Sequence, residues 1–170
     1  ALYSEYKSNR SEMPEDLQKQ MPYLRKLNDA LGFSCFEKES YEADDLVGAI
    51  TEWSLQHDMQ VYIVSGDKDF AQLVKPNVYL FDTMKNTKID VQGVVEKWGV
   101  KPEQFIDYLA LMGDSSDNVP GVEGIGPKGA QKLITDYGSL DGVYENIDKI
   151  SGKLKERLIK DKENAYLSQK

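Results

Sequence analysis

The segment Gln60–Val64, with the sequence QVYIV, constrains the fold of this chain more than any other feature. It is a β-branched, apolar run of the kind that is buried in parallel sheets. Helical apolar spacing precedes it over Glu42–His57. A short helix over Asp69–Val74 and a second strand over Val78–Phe81 are predicted after it. This alternation of helices and strands predicts an α/β layer with a parallel sheet.

The segments that precede these elements are less regular. Residues 1–13 are polar and lack apolar periodicity, which predicts a loop or a mobile segment. Apolar residues at helical spacing predict a helix over 14–31, and Pro22 is expected to kink it. The apolar segment Phe33–Phe36 is a candidate strand, in which we expect Cys35 to belong to the core.

The character of the chain changes after Trp98. Short helices joined by Gly- and Asp-rich turns are predicted there, and no strand is predicted. The expected helices are Val91–Trp98, Pro102–Met112, Pro127–Tyr137, Leu140–Ile147 and Gly152–Ile159. We therefore expect an α/β part over residues 1–98 and a helical part over residues 99–170.

Composition excludes several classes of protein. The chain has 170 residues, a single cysteine and no apolar run of the length of a membrane span, so a disulfide-rich secreted domain and a membrane protein are excluded. The net charge of -8 alone disfavours a nucleic-acid binder. The charge is unevenly distributed, however, with an acidic block over Glu37–Asp69 and a basic block over Asp148–Lys162. Such a pair suits a divalent-cation site beside a phosphate-binding surface, and an ordinary solvated surface is the alternative.

Three acidic clusters carry the strongest chemical signal. They are Tyr41–Asp45 (YEADD), Gly66–Asp69 (GDKD) and Gly113–Asn118 (GDSSDN). Each alone is explained by helix capping or turn formation. If they converge at the carboxyl end of the sheet, cations must neutralise them, and oxygen-only ligands select Mg²⁺ or Mn²⁺. Such a centre would perform two-metal phosphoryl chemistry.

A glycine-rich turn over Gly121–Gly126 leads into the helix that begins at Pro127. Free N–H groups at that helix start, together with Lys128 and Lys132, predict an anion site. A helix-hairpin-helix motif of this kind grips a duplex backbone without recognising bases. A simple turn between two helices is the alternative.

Four of these motifs, YEADD, SGDKD, MGDSSDNVPG and GIGPK, occur in an order that resembles the 5′-nuclease family. That family includes the 5′→3′ exonuclease domain of bacterial DNA polymerase I, bacteriophage flap nucleases and eukaryotic flap endonucleases. The resemblance to the bacterial polymerase I type is the strongest. It implies a PIN-like parallel sheet with flanking helices, followed by a helical part with a helix-hairpin-helix DNA-binding motif.

The resemblance also implies roles for individual residues. Tyr6, Lys7 and Arg10 resemble the helical-arch segment, within residues 1–13, that contacts the scissile phosphate and stacks on a base. Gly124, Gly126, Lys128 and Lys132 would contact duplex DNA, and the carbonyls of Val122 and Ile125 would hold a monovalent cation such as K⁺. Asp67 is expected to serve in catalysis with Lys7 and Arg10. The implied metal ligands are Glu42, Asp44, Asp45, Asp67, Asp69, Asp114 and Asp117.

The function implied is a structure-specific 5′→3′ exonuclease or flap endonuclease, Mg²⁺-dependent and bacterial. It would act in the cytoplasm, at the nucleoid, on DNA with a 5′ flap, nick or free 5′ end, during replication and repair. Whether a polymerase domain is fused to the chain stays open. Family members begin with a central strand, and two ligand aspartates precede the arch. Because this chain starts at the arch, we expect a truncated α/β part. The alternatives are a branched-DNA-binding fragment that does not cleave and a PIN-like ribonuclease.

Overall fold

The computed structural model describes residues 3–170, so the first two residues of the predicted arch segment lie outside the described residues. In this part of the chain the helices are α1 (Glu15–Ala30), α2 (Ala43–Gln56), α3 (Val91–Trp98), α4 (Phe105–Met112), α5 (Pro127–Tyr137), α6 (Leu140–Glu145), α7 (Gly152–Lys160) and α8 (Lys162–Ser168). The strands are β1 (Val61–Val64), β2 (Val78–Asp82) and β3 (Thr87–Ile89). Short 3-10 helices cover Lys68–Leu73, Pro102–Gln104 and Ile147–Lys149. None of the helices formed by residues 3–170 is long and apolar enough to cross a bilayer.

The sheet has the order β1-β2-β3. Strands β1 and β2 are parallel, with Val61 opposite Val78, and the α/β class predicted from the sequence is confirmed. Strand β3, which was not predicted, pairs antiparallel to β2 with Ile89 opposite Leu80, so the sheet is mixed. It was missed because it is only three residues long and mostly polar. It forms because the carboxylate of Asp82 accepts hydrogen bonds from the N–H groups of Met84 and Lys85, which closes the turn after β2.

The core is concentrated in the second half of the chain. Helix α4 packs against α5, α6 and α8, and apolar side chains from all these helices and the sheet join one buried cluster. Its largest fully buried side chains include Phe105, Leu111, Ile134, Leu140 and Leu158. Helix α8, which was not predicted, completes this packing through the buried Ala165. The helical part is therefore a close-packed support for the loops that emerge from it.

The segment before α2 differs from the prediction. Helix α1 forms and continues through Pro22, but it buries none of its side chains, and its apolar stripe is exposed. The predicted strand over Phe33–Phe36 is wrong, and so is the core position of Cys35, which is exposed. An apolar segment becomes a strand only where another strand offers backbone partners. Among the described residues no strand pairs with this segment.

Candidate metal centre and nucleic-acid interface

The first acidic cluster lies at the start of helix α2. Glu42 is the N-cap residue, and its N–H donates a hydrogen bond to the carboxylate of Asp45 at 3.0 Å. Asp44 lies in the same first turn. Carboxylates at this position stabilise a helix through its macrodipole. Glu42 and Asp45 thus form a capping box that holds the start of α2.

The second cluster follows strand β1 directly. The N–H of Asp67 donates to the hydroxyl of Ser65 at 3.0 Å, and the N–H of Asp69 donates to the carboxylate of Asp67 at 3.0 Å. These two bonds end the strand and start the 3-10 helix Lys68–Leu73. They place Asp67 and Asp69 at the carboxyl end of a parallel strand, where open α/β sheets bind ligands.

The third cluster lies in the loop after α4. Asp114 and Val119 exchange two backbone hydrogen bonds at 2.9 and 2.7 Å, which closes the loop. One oxygen of Asp114 also accepts a hydrogen bond from the N–H of Ser116 at 2.7 Å. The loop therefore presents Asp114 and Asp117 in a defined backbone frame.

Basic side chains bring the three clusters together. Lys7 Nζ lies 2.5 Å from Glu42 Oε2 and 4.0 Å from Asp117 Oδ2, so it joins the first cluster to the third. Lys68 Nζ contacts the carboxylates of both Asp114 and Asp69 and so joins the second cluster to the third. Bridges from two lysines therefore place all three clusters in one region. We call this set the acidic edge; it comprises Glu42, Asp44, Asp45, Asp67, Asp69, Asp114 and Asp117.

The segment Tyr6–Arg10, here called the basic segment, is folded onto the acidic edge. The N–H of Lys7 donates to the carbonyl of Asp117 at 2.9 Å, and Arg10 Nη2 lies 2.5 Å from Asp117 Oδ1. The Tyr6 hydroxyl is 3.3 Å from Glu42 Oε2 and 3.4 Å from Asp117 Oδ2. The predicted loop is confirmed over residues 3–13, and these contacts hold it against the acidic edge.

The electrostatics of the acidic edge reflect partial burial and like charges. Burial raises the pKa of Asp44, and the charges of Asp67 and Glu42 raise it further. Burial also raises the pKa of Asp69, where the charge of Lys68 opposes it only in part. For Asp114 the balance is reversed: burial would raise its pKa, but hydrogen bonds from Lys68 and the N–H of Ser116 lower it.

The cationic partners show the converse effect. Burial would lower the pKa of Lys68, but its contacts with Asp114 and Asp69 raise it above the ordinary value. The pKa of Lys7 is raised in the same way, since its hydrogen bonds to Glu42 and Tyr6 outweigh the effect of burial. Both ammonium groups therefore stay charged at neutral pH.

The donor set of the acidic edge fits a hard divalent cation, although its ligands are not assembled into a coordination shell. No three Asp, Glu, His or Cys side chains within residues 3–170 lie close enough together to hold an ion. Asp69 Oδ1, however, is buried and has no hydrogen-bond partner among the described residues. The positive charge near this oxygen is the ammonium of Lys68, 3.4 Å away. Asp44, Asp45 and Asp69 also line one open cleft between α2 and the turn after β1.

The turn Gly121–Gly126, here called the hairpin turn, is held by its backbone and by two apolar anchors. Val122 and Ile125 are buried, and the N–H of Val122 donates to the carbonyl of Leu111 at 2.9 Å. Gly121 has a φ of 59°, and a Cβ at that position would lie 2.4 Å from the backbone nitrogen of Gly113. Only glycine fits there. The turn then delivers the chain to Pro127, the first residue of α5.

Charged side chains surround the hairpin turn. Arg157 Nη1, from α7, donates to the carbonyl of Gly124 at 3.2 Å, and the N–H of Glu123 donates to Asp161 at 2.9 Å. Lys132 is engaged by Asp136 one helical turn away, at 2.8 Å. Lys128 is exposed at the start of α5, beside the N–H groups that a helix leaves unpaired.

Sequence reasoning missed two residues of these sites. Lys68 lies within the SGDKD motif, and its position between two aspartates is the signal in the sequence that points to its contacts. Arg157 was noted only as part of a basic block, because its contact with Gly124 depends on how α7 packs. Lys7 and Lys68 connect four of the seven carboxylates of the acidic edge, and the metal-binding role of all seven stays a prediction.

Acidic side chains at the edge of an α/β sheet, beside a glycine-rich turn that feeds a helix start, are typical of nucleases. Comparison with known families agrees with this class. Residues 1–99 match the family described as "5'-3' exonuclease, N-terminal resolvase-like domain", and residues 100–170 match "5'-3' exonuclease, C-terminal SAM fold". The chain belongs to the 5′-3′ exonuclease family.

Individual relatives support this assignment. DNA polymerase I of Caldicellulosiruptor bescii is 42% identical over 174 residues, which cover 99% of this chain and 20% of that protein. The chain thus spans about a fifth of the length of this relative. The T5 D15 protein co-crystallised with metal ions has a TM-score of 0.83 at 27% identity, covering 99% of this chain and 68% of that one. The bacteriophage T5 D15 flap endonuclease in a complex with DNA and metal ions gives the same TM-score and identity, with 99% and 66% covered.

Proposed function

We propose that this chain hydrolyses DNA phosphodiesters near a 5′ end, as a structure-specific 5′→3′ exonuclease or flap endonuclease of replication and repair. The observation that carries the proposal is the acidic edge, in which Lys7 and Lys68 connect carboxylates from three separate segments. Family membership supports the same reaction, and the D15 flap endonuclease is described in a complex with DNA and metal ions.

The proposed cofactor is Mg²⁺, or Mn²⁺ in its place, as two or more ions held by the seven carboxylates of the acidic edge. Bound divalent ions supply an activated water and stabilise the charge that develops on the reacting phosphate. The oxygen-only donor set supports hard cations. Asp67 would be the central carboxylate because its charge acts on both Asp44 and Asp69, raising the pKa of each.

The basic segment would bind the phosphate. Lys7 and Arg10 now contact Glu42 and Asp117, so their charged groups already lie at the acidic edge where a scissile phosphate would be held. When the carboxylates take cations, these two side chains are free to turn to phosphate oxygens. Tyr6, beside Lys7, would stack on a base, as the resemblance implies.

The hairpin turn would bind the duplex part of the DNA at a point away from the phosphate that is cleaved. Gly124 and Gly126 let a phosphate approach the backbone, and Lys128 and Lys132 add positive charge. The carbonyls of Val122 and Ile125 would hold K⁺ or another monovalent cation. We assign the α/β nuclease part to residues 1–98 and the helical part to residues 99–170. The family matches to residues 1–99 and 100–170 support this division.

The setting of the reaction is proposed by likeness. The relatives are named DNA polymerase I, which supports a fused polymerase domain as a partner and a cytoplasmic, nucleoid-associated location. A second candidate function is the binding of branched DNA without cleavage. It would need only the hairpin turn and the exposed Lys128 at the start of α5.

One experiment separates the two functions. A duplex with a 5′-end-labelled flap is incubated with the chain in Mg²⁺ and in EDTA, and a gel shift is run in Ca²⁺. We expect short labelled products to be released in Mg²⁺ and not in EDTA. A shift without cleavage would contradict hydrolysis by this chain and support the binding function. Neither cleavage nor a shift from folded protein would reject both.

A further inference from the structure

Lys68 occupies the position between two segments of the acidic edge. Its Nζ donates a hydrogen bond to Asp114 Oδ2 and lies 3.4 Å from Asp69 Oδ1. It is partly buried, with 35% of its side chain exposed. The ammonium therefore contacts one carboxylate from the turn after β1 and one from the loop after α4.

The two carboxylates need this positive charge. Asp69 Oδ1 is buried and accepts no hydrogen bond from the described residues, so the ammonium 3.4 Å away is a source of compensation. One carboxylate oxygen of Asp114 accepts a hydrogen bond from the N–H of Ser116, and the other accepts one from Lys68 Nζ. Without a cation here, two carboxylates would face each other in partly buried surroundings, which disfavours their charged forms.

A divalent ion bound by Asp69 and Asp114 would need the space and the oxygens that the ammonium now uses. The ammonium of Lys68 and a divalent ion would repel each other at such distances, so the two carboxylates cannot bind both of them tightly. The lysine side chain is a compact charge on a flexible four-carbon stem, which can withdraw to solvent at little cost.

We propose that Lys68 is a positioning residue that acts as an internal counter-ion of the metal-free chain. It holds Asp69 and Asp114 in place until a divalent ion displaces it, so that metal binding is an exchange of cations. This inference rests on the proposed function, because it takes those two carboxylates as metal ligands.

The test measures binding of Mn²⁺ alone, without DNA, by electron paramagnetic resonance of the free ion at low ionic strength. Lys68→Met removes the competing charge, and we expect it to bind Mn²⁺ about tenfold more tightly than the unmodified chain. Lys68→Arg keeps the charge and is expected to retain the weaker affinity. Lys75→Met is the matched control: Lys75 is 40% exposed and paired with Glu52, and neither residue belongs to the acidic edge. It should leave the affinity unchanged.

A second readout excludes a purely structural role. Lys68→Met should melt below the unmodified chain in EDTA, and the difference should close in Mg²⁺, because the ion replaces the lost charge. An ordinary structural ion pair would give the same loss of melting temperature in both buffers, which would overturn the inference. If the Met variant does not fold, Lys68→Gln, which removes the charge but keeps a donor, undergoes the same two measurements.

The outcomes distinguish this inference from the proposed function. Mn²⁺ binding by the unmodified chain with no gain in Lys68→Met overturns the role of Lys68 and leaves the proposed function intact. Absence of Mn²⁺ binding by the folded, unmodified chain overturns both. Tighter binding by Lys68→Met but not by Lys68→Arg, with the stability difference closed by Mg²⁺, supports the exchange of cations.

Discussion

The acidic edge and the hairpin turn are built in opposite ways. The acidic edge consists of side chains from three segments that are joined by the ion pairs of Lys7 and Lys68. The hairpin turn is held by backbone hydrogen bonds, buried apolar anchors and a glycine conformation that other residues rarely adopt. The first can therefore change its partners without unfolding, while the second presents a fixed surface. This difference predicts which substitutions remove activity and which remove stability.

The largest effect is expected for Asp67→Asn. The asparagine oxygen can still accept the hydrogen bond from the N–H of Asp69, so the turn after β1 should persist. The loss of one anionic metal ligand should reduce cleavage of a 5′-flap duplex about 1,000-fold or more. DNA affinity should stay equal or rise, because one charge that repels phosphate is gone. Single-turnover cleavage and a gel shift in Ca²⁺ measure the two effects.

Asp82→Asn is the matched control for this substitution. Asp82 is the last residue of β2 and caps the next turn through Met84 and Lys85, but it is not one of the seven carboxylates of the acidic edge. Its pKa is lowered, first by the hydrogen bond from the N–H of Lys85, so the control should reduce stability rather than cleavage by the folded chain. Unchanged turnover in Asp67→Asn would remove Asp67 from the catalytic set.

The next effect concerns the hairpin turn itself. Gly121→Ala would place a methyl group 2.4 Å from the backbone nitrogen of Gly113, at a φ of 59°. We expect a loss of about 3 kcal/mol in the free energy of unfolding, measured in urea. Gly138→Ala is the control, since Gly138 has a φ of 86° but no atom within 4 Å of the added Cβ. It should cost about 1 kcal/mol. Equal losses in the two variants would show that the close approach to Gly113 is unimportant.

The sequence predicted the hairpin turn and the acidic clusters because both depend on local patterns. A glycine-rich turn before Pro127 and a β-branched run before Ser65 are visible without any tertiary structure. The failures concern the strands, whose formation depends on pairing with another segment. Phe33–Phe36 has the composition of a strand, but strand formation is decided by what pairs with it. Strand β3 lacks the composition of a strand. Its mostly polar residues nevertheless pair with β2, because the turn after Asp82 returns the chain to that strand.

The candidate site shows the same limit. The order of the motifs indicated which carboxylates belong together, but it does not reveal which of them Lys7 and Lys68 bridge. Those contacts join residues that are far apart in the sequence, as Lys7 with Glu42 and Lys68 with Asp114 show. Spacing within a motif therefore predicts which residue types serve a site. Packing decides which counter-ions they meet.

A smaller effect is expected for Lys128→Ala. Lys128 is exposed at the start of α5, so its removal should weaken duplex binding by about 1 kcal/mol for every sequence and reduce the salt slope by about one. Lys132→Ala should have less effect, because Asp136 already holds that ammonium at 2.8 Å. Fluorescence anisotropy with two unrelated duplexes, at several salt concentrations, measures both. An effect confined to one duplex would contradict backbone contact.

The smallest effect tests whether the packing next to the hairpin turn depends on Tyr144 staying uncharged. The Tyr144 hydroxyl donates a hydrogen bond to the carbonyl of Leu158 at 3.1 Å. Leu158 belongs to α7, the helix whose Arg157 donates a hydrogen bond to the carbonyl of Gly124 in the hairpin turn. Burial, followed by the charges of Tyr166 and Asp161, raises the pKa of Tyr144 from 10.0 to about 12. The folded chain therefore favours the neutral phenol, and this contribution to stability is complete below pH 10 and lost as the pH rises towards about 12.

Tyr144→Phe separates that contribution from the rest of the fold. At pH 8 the variant should lose about 1 kcal/mol in the free energy of unfolding, because the buried carbonyl of Leu158 loses its donor. Between pH 10 and pH 11.5 its stability should fall less steeply than that of the unmodified chain, since one titrating group is gone. Urea midpoints at the three pH values measure this, with Gly138→Ala as a variant of similar stability that keeps the tyrosine. Parallel curves for the Phe variant and the unmodified chain would show that Tyr144 does not titrate with unfolding.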